Sequence, residues 1–206
     1  MIYYKTSDLS QKQQYKYLLG CLVPRPIAWI TTLSADGSVV NAAPFSFYSG
    51  VSDELPLITI ASLRRNGEMK DTARNILDTK EAVVHVVDQI VAEDMNATCT
   101  SLPSGESELI LTHQTLEDSC TVSVPRIKGT KAQFETVLEH YMPIKNDADE
   151  IITDFFFLRV IGYHLDESIL DKENDYIITR NLDPVARLAG NQYVKLGEEF
   201  TLIRPN

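Results

Sequence analysis

Residues 26–49 read PIAWITTLSADGSVVNAAPFSFYS, and this stretch decides the fold. Its first part is rich in β-branched and aromatic side chains, which predicts a strand over 26–34. Asp36-Gly37 is a strong hairpin signal, so 39–49 is predicted to return as the antiparallel partner. Pro44 has no N–H to donate to a strand ladder, and this restricts the second strand to an edge or a bulge. The stretch therefore predicts an antiparallel β protein.

Similar signals continue outward from this hairpin. Further strands are predicted at 56–62, 82–87, 132–142 and 151–165, with an acidic turn at 145–150. Three helices are predicted, at 11–19 with Ser10 as N-cap, at 70–79 with Asp71 or Thr72 as N-cap, and at 90–99. Many short strands and few helices favour an antiparallel barrel with helical decoration. No linker or repeat divides residues 1–206, so we predict one domain.

The strand predicted at 56–62 runs into a basic loop. Residues 64–74 carry four cations against two carboxylates, although the formal net charge of the chain is -10. Hydroxyls, guanidinium forks and the free N–H groups of a helix start suit a phosphate. The residues that would provide them are Ser62, Arg64, Lys70, Asp71 and Thr72. Taken alone, the loop is better explained as a solvated surface turn, and it is the neighbouring features that favour a phosphate.

Composition limits the possible partners. With 206 residues and 44% hydrophobic content, the chain can bury a full core. A pI near 4.8 argues against nucleic acids and anionic membrane surfaces, so the basic loop suits a small anion. No apolar run approaches the length that spans a bilayer, and the start MIYYKTSDLSQKQQ lacks the hydrophobic centre of a secretion signal. We therefore expect a cytoplasmic protein without a membrane or nucleic-acid partner.

Several familiar chemical motifs are absent from the sequence. The cysteines and histidines are scattered without a CxxC pair or HxxxH spacing, so we predict neither a disulfide framework nor a metal site. There is no GxGxxG and no GxxxxGK[ST], so a nucleotide must be bound in another way. There is also no GxSxG, which gives hydrolytic chemistry little support.

The second strand of the hairpin has the composition of a ligand-binding edge. Small and rigid residues at 41–44 let a flat ligand approach the backbone closely, and the alternating aromatics Phe45 and Phe47 follow them. An ordinary edge strand with both aromatics in the core explains the same alternation without a ligand. On these residues alone the two explanations are equal.

Five groups of residues, in this order along nearly the whole chain, resemble the flavin reductase-like family of FMN-binding split barrels. They are Val23–Trp29 with Thr31-Thr32, Asn41–Phe47, Lys70–Thr72 with Asn75-Ile76, Pro125-Arg126, and Leu182–Tyr193. The family includes flavoredoxins, ferric reductases and the flavin reductase components of two-component monooxygenases, such as nitrilotriacetate monooxygenase component B, and the resemblance is strongest to the last group. The chain departs from the family pattern at His85, where an Asn is common, and at Ala189, where a second Gly is common.

The resemblance implies a mainly β, antiparallel Greek-key split barrel that binds FMN. It places the FMN phosphate at Ser62, Arg64, Lys70, Asp71 and Thr72, in agreement with the charge pattern. The isoalloxazine ring would be lined by Trp29, Ile30, Thr31, Thr32, Asn41, Ala42, Ala43, Pro44, Phe45 and Ser46. Arg187, Gly190 and Tyr193 would approach the ring or the partner subunit.

The implied activity is hydride transfer from the nicotinamide of NADH or NADPH to flavin N5, with reduced flavin supplied to a partner monooxygenase. This chemistry needs stacked rings and excluded water more than an acid or a base, so no catalytic residue is assigned. The alternatives are a flavin-binding electron carrier of the flavoredoxin type and a ferric reductase on the same scaffold.

The strand predicted at 151–165 contains Phe155, Phe156 and Phe157 in succession. Strand alternation directs Phe156 to one face and its two neighbours to the other, so a second face also needs cover. A helix of the same chain could provide it. The open edges of a split barrel and the family resemblance favour a homodimer with flavin sites near the interface.

Overall fold

The computed structural model describes residues 1–205. Its α-helices are α1 Gln11–Cys21, α2 Asp71–Thr79, α3 Ala92–Ala97 and α4 Thr179–Leu182, with 3₁₀ turns at Thr6–Asp8, Glu108–Leu111 and Glu167–Ile169. The strands are β1 Arg25–Pro26, β2 Ala28–Leu33, β3 Val40–Phe45, β4 Tyr48–Gly50, β5 Leu57–Leu63, β6 Glu81–Val86, β7 Leu116–Glu117, β8 Arg126–Ile127, β9 Ala132–Lys145, β10 Ile151–Leu165, β11 Leu170–Asp171, β12 Tyr176–Ile177, β13 Val185–Arg187 and β14 Tyr193–Lys195. No helix among these residues is long and apolar enough to cross a membrane.

The main sheet is antiparallel, has seven strands and curls into a split barrel. Its strand order is β3-β2-β6-β9-β10-β5-β4. A smaller sheet, in the order β1-β13-β14, brings the segment before β2 together with the last part of the chain. These features confirm the predicted fold class, a mainly β Greek-key split barrel with peripheral helices.

The stretch 26–49 forms the hairpin with two interruptions. β2 pairs with β3 from Ala28 opposite Phe45 to Leu33 opposite Val40. Since β3 is an edge strand, Pro44 lies where a missing N–H costs no ladder bond, as predicted. The predicted strand over 39–49 was wrong in its continuity, because the chain crosses at Ser46 and Phe47 to the opposite edge of the sheet and pairs there as β4 with β5.

The β9–β10 hairpin is the longest part of the sheet. β10 spans the predicted range Ile151–Leu165, and register shifts mark bulges along its pairing with β9. Phe156 is fully buried in the core, whereas Phe155 and Phe157 are half-buried on the other face, where their rings contact each other edge to face. The predicted alternation of the three phenylalanines is confirmed.

The helix starts differ in how well the sequence predicted them. Ser10 caps α1 in a capping box with Gln13, as expected. The predicted N-cap of α2 was wrong, because Lys70 holds the extended backbone conformation and no side chain caps this helix. The carboxylate of Asp71 instead accepts bonds from Arg74 and Ser104, and the Thr72 hydroxyl lies 2.9 Å from the Asn41 amide.

Strand β2 separates two parts of the core. Its alternating side chains bury Ala28 and Ile30 against α2 and the inner face of the sheet. Trp29 faces the other way, into a second cluster that includes Met95 of α3 and Val185 of β13. Because β2 is buried on both faces, it holds the hairpin rigidly in place between the two clusters.

His85 of β6 is a fully buried and fully bonded histidine. Its Nδ1–H donates to the Trp29 carbonyl at 2.8 Å, and its Nε2 accepts from the Ile127 N–H at 2.9 Å. This pattern fixes the neutral tautomer. Burial lowers the pKa of His85 to about 4, and the neighbouring Trp29 carbonyl only partly opposes that shift.

This burial makes the stability of the fold depend on pH. Because the folded-state pKa of His85 lies below its unfolded value, its contribution is fully present above about pH 6.5 and is lost as the pH falls towards 4. We expect the free energy of unfolding, measured in urea, to fall by roughly 3 kcal/mol over this window through His85 alone. The variant His85→Gln should be less stable at pH 7, but its free energy of unfolding should no longer show this part of the fall with decreasing pH. His140→Gln, at an exposed position, is the control, and an unchanged slope in His85→Gln would contradict the assignment.

Candidate functional site

A cavity of about 900 Å³ opens where α1, the start of α2 and the small sheet meet the β3–β4 crossing. This volume lies at the upper end of the range for small-molecule sites. Its wall is formed by Lys12, Tyr15, Lys16, Leu19, Arg25, Ile27, Pro44, Phe45, Ser46, Phe47, Ala61, Leu63, Lys70, Met95, Cys99, Arg187, Leu188, Ala189, Gly190 and Tyr193.

The charge of this wall is opposite to that of the chain. Among the described residues 1–205, five cationic side chains line it and no carboxylate does, in a protein of formal net charge -10. Within residues 1–205, none of the five lies within salt-bridge distance of a carboxylate; they are Lys12, Lys16, Arg25, Lys70 and Arg187. Such a concentration of unpaired positive charge raises the local concentration of anions. The arrangement suits an anionic ligand.

Two of these cations face each other directly. Arg25 of β1 and Arg187 of β13 are cross-strand partners, a placement that is unfavourable for like charges. The Arg25 guanidinium is buried and donates to the carbonyls of Leu19 at 2.9 Å, Leu22 at 2.6 Å and Leu188 at 2.9 Å. These bonds solvate the charge without neutralising it, and they tie the end of α1 to the small sheet.

Arg187 is held by the residues that follow it. Its guanidinium stacks 4.6 Å from the centre of the Tyr193 ring and donates to the Tyr193 hydroxyl and to the Gly190 carbonyl. Gly190 has φ of +60°, in the left-handed region that favours glycine. The Tyr193 hydroxyl in turn donates to Asn96 of α3 at 2.9 Å. These contacts bring all three predicted C-terminal residues to the cavity.

Lys70 is the predicted phosphate contact that does line the cavity. It occupies the N-cap position of α2, and its ammonium lies 5.7 Å from the centre of the Phe45 ring. Desolvation of this ammonium lowers the pKa of Lys70, which is the cost of holding a cation beside an apolar wall. Desolvation likewise raises the pKa of the Cys99 thiol across the cavity, which favours its neutral form.

The other predicted phosphate contacts lie elsewhere. Arg64 lines a neighbouring groove and makes a two-pronged ion pair with the buried Asp154 at 2.9 to 3.3 Å. Ser62 is buried and points to the opposite face of β5 from the cavity-lining Ala61 and Leu63, because side chains alternate along a strand. Its hydroxyl has no hydrogen-bond partner within residues 1–205. Asp71 and Thr72 are outside the lining as well.

The predicted ring contacts also divide into two groups. Pro44, Phe45 and Ser46 line the cavity, and Ala43 is half-buried against the core beside them. The other predicted ring contacts are buried behind the wall, as part of the protein interior; they are Trp29, Ile30, Thr31, Thr32, Asn41 and Ala42. For example, the Trp29 indole donates to the Thr98 hydroxyl at 3.0 Å, and the Thr31 hydroxyl donates to the Pro125 carbonyl at 2.7 Å. This second group supports the hairpin that forms the wall.

Sequence reasoning missed the contribution of α1 and of Arg25. Lys12, Tyr15, Lys16 and Leu19 follow the i, i+3, i+4, i+7 spacing of one helix face, and this signal was available in the sequence. No local sequence signal indicates that this face of α1 turns towards the hairpin. Arg25 was visible within Val23–Trp29, but its burial without a carboxylate appears only in three dimensions. Met95 and Cys99, near the end of α3, were missed in the same way.

A separate cluster brings together Cys120, Glu135 and His164, whose potential ligand atoms lie within 4.8 Å of one another. The Glu135 carboxylate is buried and accepts from the N–H groups of Cys120 and Thr121, both at 2.6 Å, with His164 Nε2 beside it. Desolvation raises the pKa of Glu135, but the hydrogen bonds with His164, with the Thr121 hydroxyl and with these two N–H groups outweigh it and lower the pKa to about 2. The carboxylate oxygens are thus already engaged in holding the loop, and the absence of a metal site stays a prediction.

Comparison with known proteins gives the site a family context. The family model described as "Flavin reductase like domain" matches residues 19–183. The uncharacterized protein YwrF of Bacillus subtilis is 49% identical over 206 residues, covering 100% of both chains. The crystal structure of nitrilotriacetate monooxygenase component B from Bacillus cereus is 37% identical, with a TM-score of 0.93 over 98% of each chain. That of 2-nitrobenzoate 2-nitroreductase NbaA from Pseudomonas fluorescens is 27% identical, with a TM-score of 0.88 over 99% of this chain and 96% of the other.

Proposed function

This chain belongs to the flavin reductase-like domain family, and we propose that it is an NAD(P)H-dependent flavin reductase that uses FMN. The observation that carries the proposal is the large cavity with five unpaired cations and no carboxylate in a chain of net charge -10. A phosphate monoester brings about -1.5 to -2 charges at neutral pH, which such a wall attracts. The cytoplasmic location predicted from the sequence is part of the same proposal.

The residues of the cavity fit FMN chemically. Lys70 offers a charged donor at the start of α2, and a charge-assisted hydrogen bond from such a donor favours a phosphate. Apolar side chains such as Ile27, Pro44 and Leu188 offer hydrophobic surface against which an aromatic ring system can pack. The Ser46 hydroxyl, 3.5 Å from Nε of Arg25, adds a polar group to the wall.

The protein's part in the reaction is to bind, orient and exclude water. Bound FMN supplies an acceptor for the hydride of the nicotinamide. Phe45 and Leu188 restrict water at the wall, and the rigid β2–β3 hairpin fixes the position of the ring. Arg25 and Arg187 contribute positive charge that favours a ligand gaining negative charge. No side chain of the wall is required to move a proton, so no catalytic residue is assigned.

The physiological electron acceptor depends on which partner protein receives the reduced flavin. The relationship to a monooxygenase component B supports a partner monooxygenase that receives the reduced flavin. A flavin-binding electron carrier and a ferric reductase remain the alternatives. Steady-state oxidation of NADH with free FMN as acceptor separates the flavin reductase from the electron carrier, because a carrier turns over slowly without its donor protein.

We also propose that the working unit is a homodimer. α1 is an 11-residue helix without a single fully buried side chain, and isolated helices of this length are marginal in water. Its outer side exposes Tyr17, Leu18 and Leu22, and both ends of the chain add further apolar residues, such as Ile2 and Phe200. A second copy would cover this surface.

The dimer is tested by light scattering. We expect a mass of twice 23.2 kDa at micromolar concentration, and we expect Leu18→Glu to shift the mass towards the monomer because it places a charge in the covered surface. A wild-type monomer that binds FMN and oxidises NADH at full rate would contradict the proposal.

Phosphate recognition is tested by comparing FMN with riboflavin. Lys70→Ala should weaken FMN binding by about 1 to 2 kcal/mol, roughly 5- to 30-fold, because one partly solvated charge-assisted contact is lost. Riboflavin has no phosphate, so its affinity should change little. Fluorescence titration of both flavins measures the difference.

Lys80→Ala is the control, since Lys80 follows the other end of α2 and lies outside the cavity. Equal losses for FMN and riboflavin in Lys70→Ala would remove Lys70 from phosphate recognition.

A further inference from the structure

The face of α1 that lines the cavity has a composition that FMN alone does not explain. Lys12, Tyr15, Lys16 and Leu19 all lie on the wall, within one side of the helix. We infer that this face binds the phosphate groups of the reduced pyridine nucleotide, an inference that rests on the proposed function. The class of ligand is thus a dinucleotide whose pyrophosphate meets the two lysines.

The charges of the wall support two separate anionic groups. The FMN phosphate brings about two negative charges, and the five cations exceed what it needs. A pyrophosphate bridge adds roughly one negative charge per phosphate. Lys70 belongs to the start of α2, whereas Lys12 and Lys16 belong to α1. The two sets of cations therefore come from different structural elements and can serve one phosphate group each.

The position of α1 is fixed although the helix buries little. Arg25 donates to the carbonyls of Leu19 and Leu22 at the end of the helix, and the same guanidinium donates to Leu188 of the opposite wall. Leu19 is half-buried beneath this junction. Both lysines are exposed and have no carboxylate partner in the described part of the chain, so their ammonium groups are available to a ligand.

The charges of the neighbouring groove, which begins at Tyr15, favour keeping the phosphates of the ligand in the cavity, beside the two lysines. Tyr15 and Leu63 line both spaces, so a ligand in the cavity that extends past them enters the groove. There it meets Asp149 and Glu150, while Arg64, the arginine among the described residues that line the groove, is already neutralised by Asp154. Carboxylates repel a pyrophosphate but accept hydrogen bonds from sugar hydroxyls. The phosphates consequently belong beside Lys12 and Lys16.

The test is steady-state kinetics of the FMN-loaded protein with two hydride donors. One donor is NADH, and the other is N-benzyl-1,4-dihydronicotinamide, which has the reacting ring and no phosphate. For the double variant Lys12→Gln, Lys16→Gln we expect about a tenfold or larger fall in kcat/KM for NADH, through KM, because two charge-assisted contacts are lost. We expect kcat/KM for the phosphate-free donor to stay within about twofold of wild type, and we expect any rise in the Kd for FMN to be much smaller than the fall in NADH activity.

Two further variants complete the design. Lys5→Gln removes an exposed lysine of the same N-terminal region that lies outside the cavity, and it should behave as wild type with both donors. Lys12→Arg, Lys16→Arg keeps the charges and should retain most of the NADH activity. An unchanged KM for NADH in the glutamine variant would overturn the inference, and so would an equal loss with the phosphate-free donor.

The flavin arm separates this inference from the proposed function. A fall in FMN affinity that matches the fall in NADH activity would assign the α1 lysines to the flavin phosphate and overturn the inference. If wild-type protein binds FMN but does not oxidise NADH, the reductase proposal fails, and direct titration with NADH decides the inference by itself. Weaker NADH binding in the glutamine variant would then support it, and equal binding, or no binding to wild type, would reject it.

Discussion

Two arginines face each other across a strand pair without a carboxylate between them, and the rest of the site depends on that constraint. Arg25 is buried and donates to carbonyls at the end of α1 and in the segment after β13, and its partner Arg187 is held by Tyr193 and Gly190. The same bonds that solvate these charges fasten α1, β1 and β13 around one cavity. Their positive charge is left uncancelled, so the folded chain is prepared for an anionic ligand.

The local signals of the sequence were sufficient for much of the fold. The Asp36-Gly37 turn, the bounds of β10 and the opposite direction of Phe156 from its two neighbours follow from turn chemistry and strand alternation, which act between near neighbours. The crossing at Ser46 and Phe47 was not predictable in this way. A continuous strand pattern does not indicate which edge of the sheet its second half joins, because that depends on the pairing of β4 with β5.

The site shows the same division. The basic loop suggested that its cations act together, but Arg64 is paired with Asp154, a carboxylate 90 positions away, and Lys70 alone turns to the cavity. Strand alternation places Ser62 on the opposite face of β5 from its neighbours Ala61 and Leu63. It would therefore have separated Ser62 from the residues that line the cavity. The convergence of α1, Arg25 and Arg187 has no local signal, since residues of three distant segments meet only through the small sheet. Long-range pairing is the information that one sequence lacks.

We propose that an anionic flavin binds in this cavity with its phosphate beside Lys70, at the start of α2. The most direct measurement is a crystal structure of the protein grown with FMN. We expect the ring to lie against Phe45 and Leu188, with a phosphate oxygen within about 3 Å of the Lys70 ammonium. Flavin bound in the groove beside Arg64, or bound in the cavity with its phosphate away from Lys70, would contradict it.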